Sequence, residues 1–122
     1  MNQSPSESIA VADVSERCRF EITVGGTFAG FTQYVDSDGS SEDGGRGGSG
    51  GGGVERTFPH TVIEEEFGGR GLATVLIATA LDAARVSDLV VIPECSAVRH
   101  FLGKHADYLD LVPESRRAEF DL

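Results

Sequence analysis

The chain has 122 residues, room for one domain and too few for two ordinary ones, and 39% of them are hydrophobic, which excludes wholesale disorder. Ten Lys and Arg face twenty Asp and Glu, a formal charge of -10, so neither a nucleic-acid backbone nor an anionic membrane surface is an expected partner. No apolar run approaches the ~20 residues of a membrane span, and the N-terminus has no secretory pattern. Cys18 and Cys95 sit in unlike contexts, which fits a reducing cytoplasm better than a disulfide framework. Lys104 is the single lysine beside nine arginines, and such an acid-rich, lysine-poor surface suits either a halophilic source, kept soluble in strong salt, or an acidic mesophilic protein from a GC-rich genome.

Residues 1–16 read as a flexible acidic arm, 17–115 as one domain and 116–122 as a charged tail. From Arg19 the pattern alternates, with Phe20, Ile22 and Val24 on one face, so a strand is expected. Gly25-Gly26 is a hairpin turn, and Phe28 to Val35 returns as a second strand. Asp36 to Gly53 is built of Asp, Ser, Glu and Gly around a lone Arg46, and reads as a long disordered loop. Val54 to Ile63 resumes as a strand, where Pro59 calls for an edge, a bulge or a bend. Leu72 to Val86 has helical spacing and is apolar on most faces, which predicts a buried helix. Leu89 to Ile92 is a short apolar strand, and Ser96 is positioned to cap a helix from Ala97 to Lys104. Strand, glycine turn, helix and strand make a βαβ unit with parallel strands, so the expected fold class is mixed α/β.

The turn Phe67-Gly68-Gly69-Arg70-Gly71-Leu72 carries the most chemistry. Glycines where a strand hands over to a helix let unpaired N–H groups converge, and the helix dipole adds to them, so the turn is a candidate anion site. Its spacing matches neither GxxxxGK[ST] nor GxGxxG, and a tight turn without a ligand is the competing reading. Glu64, Glu65 and Glu66 must point into solvent if an anion is to bind there. Cys95 lies between a strand end and a helix start, where ligands gather in open α/β sheets and where the dipole favours a thiolate; the alternative is a small buried hydrophobe. His60 is a candidate general base or a hydrogen-bonded structural histidine. His100 and His105 are weaker candidates, and no spacing of His, Cys or Asp supports a metal.

Four blocks then carry a resemblance: His60-Thr61-Val62; Glu66-Phe67-Gly68-Gly69-Arg70-Gly71-Leu72-Ala73; Val91-Ile92-Pro93-Glu94-Cys95; and His105 to Val112. In this order they resemble the small YjdJ-type branch of the GNAT acetyltransferases, over roughly Phe20 to Val112 apart from the acidic insert. The resemblance implies a minimal GNAT-like fold, with antiparallel N-terminal strands leading into a βαβ unit with a splayed parallel pair. It implies acetyl-CoA as cofactor, held by amides within Phe67 to Ala73, with pantetheine between the strand of His60, Val62 and Ile63 and the strand Leu89–Ile92. It further implies Cys95 and His60 as catalytic residues, and transfer of acetyl to an amine, small molecule or peptide, either directly or through Cys95. A non-catalytic CoA-binding module, or an adaptor using its acidic loop, remains the alternative, and the oligomeric state stays open.

Overall fold

Alternation between Arg19 and Val24 produces the strand it predicts: Phe20, Ile22 and Val24 are buried while their neighbours are half-exposed. The computed structural model describes residues 8–38 and 54–122. Five strands form one sheet in sequence order: β1 (Ile9–Val14), β2 (Arg19–Val24), β3 (Thr27–Asp38), β4 (Val54–Ile63) and β5 (Val90–Ile92). The first four are antiparallel neighbours, and β4 pairs with β5 in parallel. Helices α1 (Leu72–Val86) and α2 (Ser96–Lys104) contact each other and both pack against β4. The architecture is the mixed α/β fold expected, with its parallel pair joined through α1.

Three local expectations need correction. The arm assigned to residues 1–16 contains β1, in which Ile9 pairs with Val24 and Val14 with Arg19. An edge strand is held by its ladder and needs no buried face, and Ile9 is 48% exposed. At the other end of the hairpin, β3 continues through Asp38, where Arg56 grips Asp36 through two hydrogen bonds of 2.7 and 2.8 Å. The remainder of the expected loop, 39–53, and of the arm, 1–7, lies outside the described residues. Finally, α1 is not buried on most faces: Leu72, Leu76, Ile77, Ala80, Leu81 and Ala84 are buried, while Val75 and Val86 are exposed.

Two irregularities shape the sheet. The β2–β3 register shifts between Ile22 and Thr23, so Ala29 and Gly30 are both buried and Phe28 turns outward. A second shift lies between Gln33 and Val35, opposite Pro59, where an edge, a bulge or a bend was expected. Through it Phe58 is fully buried and His60, two residues on, is exposed, while Thr61 faces the buried Thr32. The opposite face of the sheet carries Arg19, whose guanidinium lies 4.4 Å from the Phe31 ring centre.

Candidate cofactor and acyl-transfer site

The glycine turn owes its shape to the two residues that need it. Gly69 and Gly71 take φ of 80° and 76°, the left-handed region that other residues enter at a cost. A Cβ at either would meet nothing within 4 Å, so the space in front of the turn is open. Phe67, buried, anchors the turn to the core, and Leu72, also buried, anchors the start of α1. Glu64, Glu65 and Glu66 are exposed, as an anion site requires. Arg70 is exposed too, its guanidinium 5.3 Å from the Phe67 ring centre.

Donor accounting narrows the anion site. The amides of Phe67 and Gly68 donate within the turn, to the carbonyls of Glu64 and Glu65 at 2.8 and 3.1 Å. Gly69, Gly71, Leu72 and Ala73 donate to no backbone carbonyl among the described residues. Helix α1 begins without a side-chain cap and without an acid in its first turn. The positive end of its dipole and its first N–H groups are therefore left for a ligand. Among the described residues this cradle suits a diphosphate, with donors to spare and open space before Gly69 and Gly71.

Beside it the parallel strands part. The ladder runs from Glu55 opposite Val90 to Thr57 opposite Ile92, and the Cys95 amide then donates 2.9 Å to the Phe58 carbonyl. Beyond Phe58, β4 runs on to Ile63 while β5 has already ended at Ile92. The stretch holding His60, Thr61 and Val62 therefore flanks the segment leading into α2, a later stretch than the expected partner, Leu89 to Ile92.

Cys95 is 9% exposed and occupies the N-cap position of α2, one residue ahead of the expected cap Ser96, with no side-chain capping bond there. Its Sγ lies 3.1 Å from Thr61 Oγ1, which lies 2.8 Å from Thr32 Oγ1. Sequence reasoning missed both threonines. The His-Thr pair on β4 was the available signal, but only the bulge at Pro59 reveals which of the two turns inward. His60 is exposed, pairs across the ladder with Gln33, and sets its ring 5.9 Å from Phe31. Adjacent strand residues point to opposite faces, so His60 and Cys95 are on opposite sides of the sheet. The structure brings Cys95 to Thr61 and does not bring it to His60.

A groove of about 530 Å³ opens between the helices, from Ala73, Thr74 and Ile77 on α1 to Ser96, His100 and Lys104 on α2. Such a volume is in the range of small-molecule sites. His105, at the C-terminus of α2, stacks on Phe101 at 4.2 Å. Among the described residues no cluster could hold a metal ion, and no helix is long and apolar enough to cross a membrane.

None of the curated proteins matches the chain. A family model for GCN5-related N-acetyl-transferases matches residues 19–111, from the start of β2 to beyond α2, and so takes in the glycine turn, the parting strands and Cys95. The chain belongs to the GCN5-related N-acetyltransferase family.

Proposed function

We propose that this protein transfers an acetyl group from acetyl-CoA to an amine. Family membership implies acetyl transfer in general. The observation that carries the finer reading is the uncapped start of α1 behind Gly69 and Gly71, both at positive φ with open space before them. Amides from Gly69 to Ala73 bind and orient the diphosphate, a role that Phe67 and Gly68 share only by shaping the turn. Val62 and its neighbours, on the part of β4 that outruns β5, flank the cofactor's pantetheine arm. Acetyl-CoA, when bound, supplies an activated acyl group as a thioester. Main-chain N–H groups of β4 beyond its ladder with β5 stabilise the developing oxyanion.

In direct transfer, His60 receives the proton of the attacking amine on the open side of the sheet, away from the helices. His60 is exposed there, which leaves room for a large or peptide amine. A second reading has Cys95 take the acetyl group first and pass it on; the 3.1 Å contact between its sulfur and Thr61 Oγ1 favours this one. The two are separated by following acetylation of an amine panel with the wild type, Cys95→Ala and His60→Gln. Direct transfer predicts that Cys95→Ala keeps full turnover while His60→Gln loses about a hundredfold, the scale of general base catalysis. Loss of turnover in Cys95→Ala, with an acetylated Cys95 trapped in the wild type, contradicts direct transfer and establishes the covalent route. A folded protein that binds CoA and acetylates no amine is a binding module.

A further inference from the structure

We propose that Thr61 is a positioning residue for Cys95: its hydroxyl donates to the sulfur and, backed by Thr32, holds that sulfur as a nucleophile. This role rests on the second reading above, in which Cys95 takes the acetyl group. The core holds one oddity. Among the described residues Thr32 is the one buried polar side chain, at 0% exposure, among hydrophobic neighbours. Valine has nearly the same shape and would bury there without desolvating a hydroxyl, so a hydroxyl at this place needs a partner. The partner is Thr61 Oγ1 at 2.8 Å, and Thr61 Oγ1 in turn lies 3.1 Å from Cys95 Sγ. The chain of polar groups that begins in the core ends on sulfur.

Proton counting gives the chain its direction. Each hydroxyl has one proton to give and can accept as well. When Thr32 donates to Thr61, the Thr61 proton is free for the sulfur; when Thr61 donates to Thr32, the sulfur must supply a proton instead. The first arrangement suits an ionised sulfur, and a hydrogen bond to an ion is roughly twice as strong as one between neutral groups. The chain therefore holds the sulfur more firmly in the form that attacks. Backbone contacts fix where the two meet. The Cys95 amide donates 2.9 Å to the carbonyl of Phe58, ahead of Thr61 on the same strand. At the N-cap of α2 the Cys95 side chain makes no capping bond, so its sulfur is turned to Thr61 instead of the helix end. In the exchange this prepares, the sulfur bonds the acyl carbon as that carbon's bond to the CoA sulfur breaks, and the Cys95 proton ends on the departing thiol. Thr61 acts on this exchange only through Cys95.

The test follows alkylation of Cys95 by iodoacetamide near neutral pH, read by peptide mass spectrometry so that the exposed Cys18 is counted apart. It compares the wild type with Thr61→Val, Thr61→Ala, Thr61→Ser and Thr32→Val, each shown folded by circular dichroism. A bond to a charged group is worth about tenfold, part of which the barer sulfur regains in reactivity, so Thr61→Val and Thr61→Ala should slow alkylation about threefold. Thr61→Ser, which keeps the hydroxyl, should restore the wild-type rate. Thr32→Val should cost less than Thr61→Val, because Thr61 keeps a proton for the sulfur; packing alone predicts the reverse order, since Thr32 is the more deeply buried. Unchanged rates in the Thr61 variants, failure of Thr61→Ser to rescue, the reverse order, or a wild-type Cys95 that resists alkylation each overturns the role of Thr61. Incubation of the wild type with acetyl-CoA tests the underlying reading separately. Slowed alkylation in Thr61→Val with no acetyl found on Cys95 in the wild type overturns transfer through Cys95 and leaves the hold of Thr61 on the sulfur standing.

Discussion

Gly30 sits at a close approach of β3 to β4. A Cβ there would lie 2.4 Å from the Val62 carbonyl oxygen and 2.8 Å from Ile63 Cδ1. Backbone cannot give way as a side-chain tip can, so Gly30→Ala should cost about 1–3 kcal/mol in chemical denaturation and weaken cofactor binding through the displaced β4. Gly71→Ala differs in kind: nothing crowds the added methyl, and the cost is the positive φ alone, about 1 kcal/mol. Tyr34 shows a third mechanism. It is buried and donates a 2.6 Å hydrogen bond to Asp13, and burial first, then this bond, pushes its pKa up to about 12. An unfolded tyrosine ionises near ~10, so the folded state holds the proton more tightly. The associated stability is fully present below about pH 10 and is lost as pH rises toward about 12. Tyr34→Phe should therefore flatten the alkaline loss of stability in that window, as read by urea unfolding below and within it.

The elements legible in the sequence are those whose own side chains dictate them. The alternation of β2, the double glycine after it and the apolar spacing of α1 each state a structure within a dozen residues. Strand β1 was not legible, because its hydrogen bonds come from β2 and its side chains are mostly exposed. Nor was the inner site: Thr32, Thr61 and Cys95 lie up to 63 positions apart in sequence and meet only because the bulge by Pro59 resets which β4 residues turn inward. The glycine turn was legible as a tight turn leading into a helix, but not which amides the turn itself consumes. At this scale the core of α1 is the sensitive point. Leu76 is fully buried, and Leu76→Ala should destabilise by about 2–5 kcal/mol in denaturant titrations.

Across the whole molecule, charge and shape divide the labour. The net charge of -10 opposes compaction through self-repulsion, and molar salt shortens the screening length to about 3 Å. Melting temperature should therefore rise with added salt; a flat or falling curve would mean that the surface charges are already locally paired. Against this acidic background, among the described residues, the first turn of α1 and the lining of the groove beside α2 hold no carboxylate. They adjoin, and both are on the helix side of the parting strands, opposite the face that carries His60. The measurement that bears most directly on this arrangement is titration of CoA into folded, isotope-labelled protein, followed by amide chemical shifts together with calorimetry. The account predicts saturable binding with the largest shifts at Gly69, Gly71, Leu72 and Ala73; a folded protein that gives neither heat nor shifts at those amides would contradict it.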